Sequence, residues 1–121
     1  MSKVILVVDD SASVRQLVGI ALRECGYTLI EAQDGSEALK KLAGQKVDLV
    51  VSDVNMPNMD GITMVKEIKK MPNYKFMPVI MLTTEGDETK KLEGKAAGAK
   101  AWIVKPFRPE QLVKAVSMLL M

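Results

Sequence analysis

Five short apolar runs punctuate the chain: Val4 to Val8, Thr28 to Ile30 just after Tyr27, Leu49 to Val51, Val79 to Leu82, and Trp102 to Val104. Each has roughly strand length, and their near-continuous apolar character fits strands covered on both faces. Between the first two runs, Val14, Leu17, Val18, Ala21, Leu22 and Cys25 fall at i, i+3, i+4, i+7, i+8 and i+11. That spacing predicts an amphipathic helix with Cys25 on its core face, and Gly26 stands where a C-terminal cap belongs. The same period returns in Ala38, Leu39, Leu42 and Ala43, in Met64, Val65 and Ile68, and in Leu112, Val113, Val116, Leu119 and Leu120. Pro109 opens the last helix, where a missing N–H costs little. The poorest helix is Asp87 to Gly98: Leu92, Ala96 and Ala97 give a thin stripe, and Gly94 at its middle costs about 1 kcal/mol relative to Ala. It is the element expected to move most easily.

Strand and helix thus alternate five times, which predicts an α/β fold with a parallel sheet between helical layers. The expected organisation is one domain over residues 1–121, without repeat, linker or room for an output domain. A chain of 121 residues, 48% apolar, buries roughly two-thirds of its unfolded surface and needs no disulfide or structural metal. More restrictive is the count of zero histidines and one cysteine. It removes Ser-His-Asp and Cys-His catalysis, His-ligated metals, a Cys-x-x-Cys pair and a zinc-cysteine site. The first apolar run is too short for a signal sequence, and no run reaches the roughly 18 residues of a membrane span. A cytoplasmic protein with no membrane partner is expected. Residues 1–60 carry 6 basic and 9 acidic groups, net −3, and residues 61–121 carry 11 and 6, net +5. The positive half suits an acidic partner; with five aromatic residues and no long Lys/Arg block, nucleic acid is not expected.

In an open parallel sheet, ligands bind beyond the carboxyl ends of the strands. Strand one is followed by Asp9 and Asp10, strand three by Asp53, strand four by Thr83 and Thr84, and strand five by Lys105 and Pro106. Singly, each has a bland explanation as cap, turn or solvated charge. Together they place three carboxylates against one lysine, and such carboxylates must share protons or hold a cation. An all-oxygen site with spare positions suits Mg²⁺, and a carboxylate beside it can attack phosphorus. A small phosphohydrolase would instead carry Asp-x-Asp after strand one. A flavodoxin-type cofactor site would carry a hydroxyl- and glycine-rich loop there.

The stretches Val7 to Ser11, Asp53 to Gly61, Leu82 to Glu85, and Ala97 to Ala99 continuing through Trp102 to Phe107 resemble the receiver domains of bacterial two-component signalling, and among them the single-domain chemotaxis regulators. The resemblance implies a flavodoxin-like doubly wound (βα)5 sandwich with strand order 2-1-3-4-5. It implies Asp53 as phosphoacceptor, and Asp9, Asp10, Asp53 and the Asn55 carbonyl as Mg²⁺ ligands. Lys105 and Thr83 would engage the phosphoryl group, with the Asn55 and Thr84 backbone beside it. The Lys105-Pro106 bond is expected to be cis. Asn55 and Glu85 would tune hydrolysis of the acyl phosphate, while Pro57 and Gly61 shape the loop.

Two departures stand out. Trp102 occupies the place of the family's usual Tyr or Phe switch residue, and Val54 replaces the tryptophan of well-known chemotaxis members. The expected output surface carries Lys90, Lys91, Lys95, Lys100, Trp102, Arg108 and Lys114. What the resemblance implies is a monomeric switch, not a classical enzyme, which phosphorylates itself from small donors and dephosphorylates itself. Its partners would be a histidine kinase, an acidic and apolar segment of an output protein such as the flagellar motor switch, and a phosphatase. A stand-alone receiver in another phosphorelay is the alternative.

Overall fold

A computed structural model describes residues 3–84 and 88–120. The elements alternate as expected: β1 Val4–Val8, α1 Ala12–Glu24, β2 Thr28–Ala32, α2 Gly35–Gly44, β3 Leu49–Asp53 and α3 Gly61–Lys69, then a 3₁₀ turn at Pro72–Tyr74, β4 Val79–Thr84, α4 Glu88–Ala97, β5 Ala101–Lys105 and α5 Pro109–Leu119. The strands form one parallel sheet in the order β2-β1-β3-β4-β5.

The apolar runs do not alternate because both faces of the sheet are buried. Leu6, Val8, Val50, Val79 and Met81 join Met64, Val65 and Ile68 of α3 on one side. Ile5, Val7, Leu49, Val51, Ile80 and Leu82 join Val18 and Leu22 of α1 and Leu112 and Val116 of α5 on the other. Successive strand residues point to opposite faces, so each central strand feeds both layers. The edge strands are wetter: β2 is only partly buried until Ala32, and Val104 of β5 is 47% exposed.

Helix ends follow local chemistry. Ser11, Asp34 and Asp60 are the N-caps of α1, α2 and α3, accepting from the N–H groups of Val14, Glu37 and Thr63, each satisfying a donor the helix cannot. Gly26 takes a positive φ of 90° just past α1, the left-handed turn that favours glycine.

The expectation for Cys25 is corrected: it is exposed. The helix ends at Glu24, and the Cys25 N–H bonds to Leu22 and Arg23 carbonyls in a tightened last turn, which carries the side chain off the helical face. Leu17 is likewise 46% exposed. The buried line of α1 runs through Val18, Gly19 and Leu22, leaving Leu17 at its margin.

Candidate functional site

Sheet register brings the predicted residues together. Val8 of β1 pairs with Ser52 of β3, so Asp9 and Asp53 emerge side by side where the strand order reverses. Asp53 pairs with Leu82, Thr83 with Val104, and Thr84 with Lys105. One oxygen from each of Asp9, Asp10 and Asp53 lies within 4.8 Å of the other two.

Asp9 is 1% exposed and firmly held. Its N–H donates to the Ala32 carbonyl at 3.1 Å; Oδ1 accepts from the Ser11 N–H at 2.9 Å, and Oδ2 from Lys105 Nζ at 3.2 Å. Lys105 Nζ also stands 3.4 Å from Asp53 Oδ2, bridging the two buried acids. Asp10 is exposed and opens the cluster to solvent. Burial first, and the Asp9 charge second, push the Asp53 carboxyl above the usual carboxylate range, with Lys105 pulling the other way. Three carboxylates thus gather around a single lysine, which leaves the cluster short of positive charge.

These residues fit Mg²⁺. The donors are hard oxygens, and ligands on opposite sides of Mg²⁺ stand about 4.2 Å apart, so small movements or a bridging water would close the set. Asn55 lies two residues beyond Asp53 in the exposed start of the following loop. That loop is shaped as the sequence suggests. Met59 N–H bonds to the Pro57 carbonyl at 2.7 Å. Asn58 adopts φ 67° and donates to Asp34 at 2.9 Å. Gly61 N–H returns to the Val54 carbonyl at 2.8 Å. A Cβ at Gly61 would lie 2.3 Å from the Asp53 carbonyl oxygen, so only glycine lets α3 start against the backbone of Asp53.

Thr83 is buried and its hydroxyl donates to the Thr84 carbonyl at 2.9 Å; Thr84 is exposed at the end of β4. Lys105-Pro106 is cis. Trp102 pairs with Met81 and packs against the core beneath α4. Its ring rests on Gly94, where an added Cβ would fall 2.1 Å from indole Cζ2. Its Nε1 is buried with no hydrogen-bond partner among the described residues. Lys90, Lys91 and Lys95 lie on α4, Lys100 just before β5, Arg108 at the N-cap of α5 and Lys114 within it. Lys90 and Lys91 are half-buried, and the other four are exposed. Leu92 among them is 68% exposed. Glu85 lies outside the described residues.

Two features went unseen in the sequence. Arg15 donates to the Asp9 backbone carbonyl at 2.6 Å, and Gly94 provides the seat for Trp102. The one available signal was Arg15 itself, a cation near the N-terminus of a helix, where the macrodipole disfavours it.

Parallel strands in this order, with an acidic cluster and a lysine where the order reverses, define a receiver-type α/β sandwich. The response regulator receiver domain family matches residues 5–117, and the chain belongs to it. The chemotaxis protein CheY of Thermotoga maritima is 40% identical over 119 residues, covering 97% of each chain. The structure of CheY4 of Vibrio cholerae, a chemotaxis response regulator, superposes with a TM-score of 0.94 at 48% identity, over 99% of this chain and 100% of that one. PhoB of Pseudomonas aeruginosa, the phosphate regulon transcriptional regulatory protein, is 35% identical over 120 residues, but those are 99% of this chain and 52% of PhoB. The chain spans about half the length of such transcriptional regulators. Receiver domains are signalling switches of two-component systems that bind Mg²⁺ through an acidic pocket. Among the described residues no helix is long and apolar enough to cross a membrane.

Proposed function

We propose that this receiver is a phosphorylation-activated switch serving chemotaxis, with Asp53 as its phosphoacceptor. The observation that carries the site reading is the buried Asp53 carboxylate at the end of β3, joined to Asp9 through the ammonium of Lys105, which reaches both acids. Asp9, Asp10, Asp53 and the Asn55 carbonyl would hold Mg²⁺. When bound, the ion supplies positive charge to the oxygens of the phosphoryl group in transfer.

An Asp53 oxygen attacks phosphorus; the bond to the donor breaks, and its electron pair leaves on the imidazole of a kinase phosphohistidine or on a small carboxylate. Lys105 pairs with the transferred group. The Thr83 hydroxyl exchanges the Thr84 carbonyl for a phosphoryl oxygen, and the Thr84 N–H bonds beside it. That displacement biases the packing of Trp102 under α4. Water later cleaves the acyl phosphate, alone or with a phosphatase partner.

Chemotaxis is supported by relatives of that name matching along nearly their whole length. The likeness to PhoB keeps a phosphorelay outside chemotaxis as the second reading. The lysines around exposed Leu92 suit an output segment that is acidic and apolar. The test is binding of an acidic, apolar segment of a flagellar motor switch protein to the chain with and without beryllofluoride and Mg²⁺. About tenfold tighter binding of the activated form is expected, a coupling of about 1.4 kcal/mol. Equal binding of both forms would remove the motor switch as the output.

A further inference from the structure

Arg15 stands in the first turn of α1, close to the positive end of the helix dipole, yet its side chain is only 13% exposed. Two bonds hold it there. Nη1 donates to the Asp9 carbonyl at 2.6 Å, and Nε donates to Glu31 Oε1 at 3.1 Å. Glu31 is itself anchored on β2: its second carboxylate oxygen lies 3.8 Å from Arg23, and its backbone carbonyl accepts from Lys41. The rigid guanidinium fork thus ties β2 to the turn that carries both N-terminal acids.

The tie acts on a particular atom. The Asp9 carbonyl belongs to the planar peptide joining Asp9 to Asp10, so fixing it fixes the direction in which Asp10 leaves the strand. Asp9 has other restraints, through Ala32, Ser11 and Lys105. Asp10 is exposed, and the turn is what aims it.

We infer that Arg15 is a positioning residue for the cation site: by fixing the Asp9-Asp10 peptide plane it keeps the Asp10 carboxylate within reach of Asp9 and Asp53. The inference rests on the reading of that cluster as the Mg²⁺ site. Charge and position oppose each other here. The guanidinium alone would repel a cation, so if charge ruled, its removal would tighten binding. Its pairing with Glu31 cancels much of that repulsion and leaves the positional effect in command.

The experiment is calorimetric titration of Mg²⁺ into the wild type, Arg15→Lys, Arg15→Ala and Asp10→Asn, with melting curves of each. Arg15→Ala should weaken Mg²⁺ binding about tenfold, at the lower end for groups that orient metal ligands. Arg15→Lys keeps the charge but loses the fork, so it should weaken binding too. Phosphorylation by acetyl phosphate should need more Mg²⁺ in both variants and recover at saturation, a shift in requirement and not in maximal rate. A merely structural role would lower the melting temperature and leave the Mg²⁺ affinity unmoved. Unchanged or tighter Mg²⁺ binding in Arg15→Lys overturns the inference, and that variant decides alone if Arg15→Ala does not fold. If the wild type binds no Mg²⁺, or Asp10→Asn binds it as well as the wild type, the cluster reading falls and takes the inference with it.

Discussion

Gly94→Ala sets several effects of similar size against one another at the output face. Helix propensity alone favours alanine in α4 by about 1 kcal/mol. The new methyl, however, would sit 2.1 Å from Cζ2 and 2.2 Å from Cη2 of Trp102, far inside the contact distance of about 3.5–4.0 Å. If the helix yields, overpacking costs about 1–3 kcal/mol. If the indole swings out instead, it forfeits burial worth about 1.5–3 kcal/mol for a large apolar side chain. Outward rotation also returns Nε1, which has no partner among the described residues, to water, recovering about 1–3 kcal/mol. Those last two nearly cancel, so expulsion of the ring is the cheaper response. The expected result is a stability change smaller than about 1 kcal/mol in urea unfolding, with a clear red shift of Trp102 emission and easier quenching by acrylamide. Trp102 is the only tryptophan, so the signal is unambiguous. A gain of about 1 kcal/mol with unchanged emission would refute the packing of the indole on Gly94. A loss above about 2 kcal/mol with unchanged emission would refute the balance drawn between burial and the orphaned N–H.

Other outcomes follow from the site. Gly61→Ala drives a methyl into the Asp53 carbonyl at 2.3 Å, a backbone atom that cannot rotate away, so it should cost about 3 kcal/mol in chemical denaturation and slow acyl-phosphate labelling even where the protein remains folded. Asp53 titrates above the usual range, so the folded state holds its proton to higher pH than the unfolded state does. Stability without Mg²⁺ should therefore fall as pH rises from the ordinary carboxylate range through the folded value. Asp53→Asn should flatten that slope and melt higher than the wild type at neutral pH, as scanning calorimetry across the pH range would reveal. Mg²⁺ at a hundredfold over its dissociation constant should stabilise the wild type by about 2.7 kcal/mol, and Asp10→Asn should lose most of that gain at the same concentration.

The layers of the sandwich were legible because burial on both faces leaves continuous apolar strands, and the helices between them carry the 3.6-residue period. The acidic cluster was legible because strand ends in a parallel sheet share one edge, so Asp9, Asp10, Asp53 and Lys105 could be placed without coordinates. Strand order was not in the periodicity; it came with the family resemblance. The exposure of Cys25 is not legible in the pattern because hydrophobic spacing does not mark where a helix stops, and α1 ends at Glu24 with Cys25 as its cap. Gly94 looked like a defect in α4 because propensity counts only the helix's own backbone, whereas its use lies in Trp102 on the neighbouring strand. The role of Arg15 is not legible in spacing, since its partners, a backbone carbonyl and Glu31 on β2, are set by tertiary placement.

The central claim, that Asp53 accepts a phosphoryl group, is tested most directly by intact-protein and peptide mass spectrometry after incubation with acetyl phosphate and Mg²⁺. The wild type should gain the mass of one phosphoryl group, located on the peptide containing Asp53 and lost when Mg²⁺ is chelated before the donor is added. Asp53→Asn should gain none. A wild type that stays unmodified, or an Asp53→Asn protein that is labelled equally, would contradict the account.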